Sequence, residues 1–280
     1  MTKVFLDYDQ EGLDRAYDQA AYAANRDQLL ARMAANSELA RRRIGQPERF
    51  SYGAKPIEGL DVYRARTPDA PLNVFVHGGA WRAGLARDYA FPAEMMLAAG
   101  AHFVVLDFEN VTETGGDLMP MADQVRRGIS WVCENAKAIG GNAQRVYVSA
   151  SSSGAHLAAV AATSGLPVKG WTLCSGMYDL RGPRLSKRSS YVKFTDAAEE
   201  ALSPQRHVAR IGAPVVLLYG SLETPEFQRQ SKDFADALTR AGKSAEIIRA
   251  EGYNHFELME TIGNPYGPMG RAVLAQMKLK

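Results

Sequence analysis

The sequence predicts an α/β fold, a mostly parallel, doubly wound sheet with helices on both faces. Three observations carry that prediction. Beyond about residue 59, short apolar runs alternate with segments of helical period. The runs are apolar throughout rather than at every second residue, as strands covered on both faces require. Glycines at Gly100, Gly140-Gly141 and Gly165 close helical segments just before the next apolar run begins.

Residues 1–50 read as a polar N-terminal segment, helical from about Leu13 to Arg43. "GLDVYRAR" and "LNVFVHGG" then read as two strands, followed by the helix "PAEMMLAAG" and the strand "HFVVLDF". "MADQVRRGISWVCENAKAIGG" has helical period and leads to the strand "RVYVSA"; "SGAHLAAVAATSG" is a helix and "VKGWTLCSG" a strand. "APVVLLYGS" is another strand, "EFQRQSKDFADALTRAG" a helix, and "SAEIIRAEG" the last strand. One interval breaks the alternation. Residues 178–204 are polar and follow the C-terminal end of a strand, the side on which open α/β sheets bind ligands. They are expected to form a lid or cap, the alternative being a surface excursion that never meets substrate. Residues 1–280 are expected to form a single domain.

Bulk composition excludes several classes of function. A chain of 280 residues with 46% hydrophobic and 23% charged residues can bury a substantial core. A net charge of +2 leaves no electrostatic footprint for nucleic acid or an acidic membrane. The basic run Arg41-Arg42-Arg43 reads as the solvated end of a helix. Cys133 and Cys174 lack any CxxC or metal-ligand spacing, so a reduced, cytoplasmic protein is expected. The N-terminus carries acidic residues where a signal peptide needs a basic start, and no apolar stretch nears the ~18 residues of a membrane span. The expected partner is a small-molecule substrate, and self-association into a homodimer is compatible with the sequence.

The chemistry centres on "YVSASSSGAHLAAV", residues 147–160. A serine between a buried strand and a helix is held on a tight turn, where free backbone N–H groups of the helix N-terminus can receive an oxyanion. The nucleophile elbow G-x-S-x-G is this arrangement. Taking Gly154 as its second small position makes Ser152 the nucleophile, puts Ala150 in place of the first glycine, and makes the Ser153 N–H an oxyanion donor. The plain alternative is a serine-rich helix cap without chemistry. Upstream, "FVHGGAW" follows a strand directly. Glycines there let the backbone approach a substrate carbonyl, as in an HGGG-type oxyanion loop.

A serine hydroxyl needs a base. His77 belongs to the glycine turn and is expected to brace it. His102 opens a strand and so lies at the wrong sheet edge, His156 reads as a packed helix residue, and nothing marks His207. His255 follows the last strand, where the Ser…acid…His order puts the base. Glu223, just past the penultimate strand, is the matching acid, with Asp179 as its rival. Glu226 reads as a first-turn helix residue and Asp107 as a structural turn residue.

With these residues assembled, the chain from about Tyr52 onward resembles the α/β-hydrolase superfamily. Within it, the chain is similar to the kynurenine formamidase (arylformamidase)-like branch, near the hormone-sensitive-lipase type of esterase. The residues that carry the likeness are "HGGAW", "SSSGAHLA", "SGMYDLRGPRLS" with "ALSP", "ETPEFQRQS" and "GYNHF". Position by position, the resemblance implies Ser152 as nucleophile, Glu223 as acid, His255 as base, and the N–H groups of Gly79, Ala80 and Ser153 as oxyanion donors. It departs from the branch at Ala150, usually glycine, and at Glu223, commonly aspartate. The implied activity is hydrolysis of a small aromatic amide or ester through an acyl-enzyme, without metal or organic cofactor. A general short-chain carboxylesterase is the alternative, and a non-catalytic binding protein on the same fold a further one. Trp81 and Tyr178 are candidate walls for a flat substrate. Tyr22 and Asn25 are candidates to bring the N-terminal segment against the pocket.

Overall fold

The computed structural model describes residues 2–279. Strands β1 (Glu48–Ser51), β2 (Gly59–Tyr63), β3 (Ala70–Val76), β4 (His102–Leu106), β5 (Gly141–Ser151), β6 (Trp171–Cys174), β7 (Val215–Gly220) and β8 (Ala245–Ala250) form one sheet in the order β1-β2-β4-β3-β5-β6-β7-β8. Every pairing from β4 through β8 is parallel, while β1 and β2 are joined antiparallel at one edge. The mostly parallel, doubly wound expectation is therefore what is found.

Alternation of side chains sorts the strand residues onto two cores. Leu72, Val74 and Val76 of β3 face one side with Val148 and Ala150 of β5, Leu173 of β6 and Leu217 of β7. Phe75, Phe103, Val105, Tyr147, Cys174 and Leu218 face the other. Helices cover both. Those in chain order are α1 (Gln10–Ala16), α2 (Arg26–Ile44), α3 (Ala93–Ala98), α4 (Met119–Asn135), α5 (Ser153–Ala162), α6 (Arg181–Leu185), α7 (Asp196–Ala201), α8 (Pro225–Arg240), α9 (His255–Glu260) and α10 (Pro268–Gln276). α4, α5 and α8 bury Val125, Ile129, Leu157, Phe227 and Phe234 in the first core; α2, α3, α9 and α10 bury Met33, Met96, Leu258 and Val273 in the second. Strands buried on both faces leave no polar period, which is why these runs read as uniformly apolar.

The structure differs from the sequence expectation in three places. The N-terminal segment is two α-helices separated by a single 3-10 turn at Gln19–Tyr22, because Asp18 caps that turn through Ala20 N–H and breaks the helical run. Glu48–Ser51 form an edge strand that the polar residues there conceal. α4 ends before Gly140-Gly141, and Gly141 already belongs to β5. Among the described residues, no helix is long and apolar enough to cross a membrane.

Candidate active site

β5 ends at Ser151 and α5 starts at Ser153, so Ser152 alone makes the turn between them. It does so with φ 55° and ψ −127°, a conformation unfavourable for a residue with a Cβ. The strain holds the hydroxyl out of both elements. Ser152 N–H is tied to Cys174 O at 2.8 Å, which anchors the turn to β6. Two glycines make the surrounding approach feasible. A Cβ on Gly154 would stand 2.2 Å from His77 O, and one on Gly78 2.8 Å from Ser152 Cβ. Ala150, where the elbow motif has glycine, points its methyl into the first core and is fully buried there. The extra methyl is thus absorbed by packing.

The acid and base arrive on two other strand ends. Glu223 follows β7 and immediately precedes Thr224, whose side chain caps α8 with Pro225 in the first turn. His255 follows β8 as the first residue of α9, whose start is locked by a capping box between Asn254 and Glu257. The structure brings the three predicted side chains together. His255 Nε2 lies 2.9 Å from Ser152 Oγ, and His255 Nδ1 lies 2.9 Å from Glu223 Oε2. All three are nearly closed to solvent, with 8% of Ser152, 3% of His255 and 2% of Glu223 exposed. With Nδ1–H donating to the Glu223 carboxylate, Nε2 offers its lone pair to the hydroxyl. The imidazole sits edge-on to Phe227 and Phe256, both at 5.2 Å.

Glu223 is held from several directions. Its Oε1 accepts from Ser175 Oγ and from Gly220 N–H at 2.8 Å; its Oε2 also accepts from Gln19 Nε2 at 2.8 Å. Asn25 reaches the base side, accepting from Asn254 Nδ2 at 2.9 Å and donating to Glu257 at 2.7 Å. The N-terminal segment therefore does lie against the site, through Asn25 and through Gln19, which sequence reasoning missed. Nothing local to "DQAAY" marks that glutamine. Tyr22, on the same turn, is 37% exposed with the Arg15 guanidinium over its ring.

The glycine turn runs beside Ser152 with left-handed φ at Gly79 (128°), Ala80 (56°) and Trp81 (63°). Gly79 O accepts from Arg82 and Ala83 N–H, and Trp81 N–H donates to Ser153 Oγ at 3.1 Å. Among the described residues, the N–H groups of Gly79 and Ala80 have no backbone partner. His77 braces the turn as expected, its Nδ1 donating to Gly78 O at 2.9 Å between the stacked rings of Tyr89 and Phe108. Burial lowers its pKa and keeps it neutral. His156 is also neutral, pushed down to about 4 by burial. It takes Trp81 Nε1–H on Nδ1 at 3.2 Å and meets Leu202 O through Nε2 at 2.8 Å.

The remaining candidates lie apart from Ser152. His102 accepts from Ala65 N–H at the start of β4, and His207 Nε2 meets Glu200 O. Asp179 is engaged by Arg206 and by Arg181 N–H, and Asp107 by Ala86 N–H and Arg49. Trp81 is 2% exposed and lines a small recess with Gly78, Phe108, Met121 and Ser153. Tyr178 corrects an expectation: it is fully buried, stacked on Phe234 at 4.3 Å with its hydroxyl on Gly176 N–H, and so is core rather than an open wall. A roomier surface depression lies elsewhere, lined by Asn36, Arg43, Phe91, Glu94, Glu260 and Asn264. No predicted site residue borders it.

Residues 178–204 include α6, α7 and a 3-10 turn at Lys187–Ser190. Arg188 on that turn donates to Tyr17 O and stands over the rings of Trp81 and Phe227. Lys187 pairs with Asp18 at 2.6 Å, so this interval and the N-terminal segment are joined to each other.

Sheet order and elbow together give the α/β-hydrolase fold, and the chain is a serine hydrolase. Residues 60–169 match the BD-FAE family model. The kynurenine formamidase of Danio rerio is 28% identical over 75% of this chain and 75% of its own length. The isoprenylcysteine alpha-carbonyl methylesterase ICME of Arabidopsis thaliana is 32% identical over 74% of this chain, which spans only 56% of that protein. A solved structure from Silicibacter sp. TM1040 superposes with TM-score 0.82 at 23% identity, covering 95% of this chain and 98% of that one, which is a likeness of fold. These likenesses support a hydrolase acting on amides or esters.

Proposed function

We propose that the protein cleaves a small aromatic amide or ester, as an arylformamidase does, through an acyl-enzyme on Ser152. The observation that carries this reading is the pair of 2.9 Å contacts linking Ser152 Oγ, His255 and Glu223 Oε2 at a left-handed elbow. Ser152 Oγ attacks the substrate carbonyl carbon while its proton passes to His255 Nε2. The carbonyl electron pair moves onto oxygen, where the N–H groups of Gly79, Ala80 and Ser153 receive it. Collapse of this intermediate breaks the bond to the leaving amine or alcohol, which takes the proton from His255. Water then attacks the acyl-serine, gives its proton to His255, and releases the acid as Ser152 is reprotonated. Glu223 stabilises each imidazolium through its hydrogen bond with Nδ1.

The half-buried ring of Phe256 beside the base favours a flat leaving group. The kynurenine formamidase likeness points to a formyl donor, and the methylesterase likeness supports a second reading, a short-chain carboxylesterase. Residues 178–204 act as a cap in this reading, because Arg188 lies over Trp81 beside the glycine turn. Two free thiols fit a cytoplasmic setting.

The test is a hydrolysis panel of N-formylkynurenine, other aryl formamides, and acetyl to butyryl esters, with Ser152→Ala alongside. Formamides far ahead of esters support the first reading, and esters of all lengths turning over equally supports the second. Full activity in Ser152→Ala, or no labelling of Ser152 by a fluorophosphonate, would overturn both.

A further inference from the structure

We infer that Gln19 is a positioning residue for the acid Glu223, which makes the N-terminal segment a working part of the site. This rests on the assignment of Ser152, His255 and Glu223 given above. A glutamate has one more torsion than an aspartate, so its carboxylate needs more fixing to keep one oxygen aligned with the imidazole N–H. Ser175, Gly220 and His255 hold it from the ends of β6, β7 and the start of α9. Gln19 supplies the remaining donor, to the same Oε2 that receives His255 Nδ1.

The amide of Gln19 is itself fixed. It is 6% exposed, and its Oε1 accepts Thr224 N–H at 3.3 Å, so turning the amide over would oppose two acceptors at one end and two donors at the other. A neutral donor is also the right chemistry. It stabilises the carboxylate and fixes its plane, whereas a lysine or arginine there would neutralise the charge that the imidazolium needs. Asn25 completes the clasp by gripping Asn254, the residue that caps the helix bearing His255.

The full chain is compared with Gln19→Leu and Gln19→Glu in hydrolysis of p-nitrophenyl acetate across pH, with Ser152→Ala run in parallel. Gln19→Leu is expected to lower kcat by about 10- to 100-fold with KM within about threefold. In Gln19→Glu, the protonated acid donates as the amide did, but its ionised form sets two carboxylates in contact. Its kcat should therefore approach the parent's at low pH and fall as pH rises, a limb absent from the parent profile. Other ionisable groups near the carboxylate do not supply that limb. Cys174 and Tyr178 are both raised by burial and stay neutral, Glu226 is paired with Arg229 and Tyr17, and His255 is common to parent and variant. Parent-like kcat and pH profile in either variant would overturn the inference. Should Gln19→Leu fail to fold, the Gln19→Glu profile decides. Activity surviving in Ser152→Ala would instead overturn the assignment beneath it.

Discussion

Replacing Gly154 by alanine drives a methyl group into backbone that cannot rotate away. The added carbon would meet His77 O at 2.2 Å and Val76 O at 2.3 Å, against a closest tolerated approach of 3.0 Å, so α5 and β3 must part by at least 3.0 − 2.2 = 0.8 Å. Intrinsic helix propensity favours alanine here by about 1 kcal/mol. The clash outweighs it, because overpacking costs about 1–3 kcal/mol and both obstacles are carbonyls of a central strand and its exit. With the clash at the upper end of that range, because neither carbonyl can rotate away, the net loss of about 3 − 1 = 2 kcal/mol lowers the melting temperature by about 4–8 °C. Activity suffers more. The carbonyls that must move belong to the chain leading into the glycine turn, and a shift of about 1 Å in that turn costs about 100-fold in kcat/KM. The assays are thermal unfolding by circular dichroism and steady-state ester hydrolysis, with Gly212→Ala as control because a Cβ there meets nothing within 4 Å. A Gly154→Ala protein that melts within about 2 °C of the parent and keeps its activity would refute this account of the elbow.

Other expectations concern charge and exposure. Glu223→Gln removes the charge that stabilises the imidazolium and can turn an NH₂ toward Nδ1; kcat should fall about 10³- to 10⁴-fold with KM little changed, and a loss of tenfold or less in steady-state kinetics contradicts the role. His156 has its folded pKa depressed to about 4 from 6.5, so between those values the unfolded chain binds a proton that the folded one refuses. Stability should accordingly drop as pH falls from 6.5 to 4, by about 3 kcal/mol for this residue, with His77 adding in the same direction. Urea unfolding at both ends of that range should show the slope, and His156→Leu should flatten its share; an unchanged slope refutes it. Burial raises the Cys133 thiol to about 11 and the Cys174 thiol further, so Ellman's reagent at pH 8 should find no thiol until guanidinium unfolds the chain. Rapid labelling of the folded protein would contradict that burial.

Much of the layout was legible because each strand and helix announces itself within a short window. Apolar runs such as "NVFVHGG" and "APVVLLYGS" must be strands that both layers cover, and the glycines after helices mark the exits. The glycine turn and the serine elbow were legible for a related reason: close backbone approach demands small residues at fixed offsets, and Gly78 and Gly154 both sit where a Cβ would collide. β1 escaped notice because an edge strand in "PERFS" is largely exposed and carries no apolar run. Tyr178 was misjudged because sequence adjacency to a loop says nothing of which way a ring turns; here it turns onto Phe234.

By itself, then, the sequence determined the order of the buried strands, the elbow, and its serine and histidine, with Asp179 left as rival to Glu223 for the acid. Those are properties of local spacing, set by hydrophobic period, chain order and steric need for glycine. Only the tertiary structure decided that Gln19 reaches Glu223 across 204 positions, that Asn25 grips the cap of the helix bearing His255, and that Arg188 stands over Trp81. A hydrogen bond between distant segments requires nothing of the residues beside it in sequence. Such contacts come into being only when burial has fixed both backbones, so no window of the chain, however wide, carries their signature.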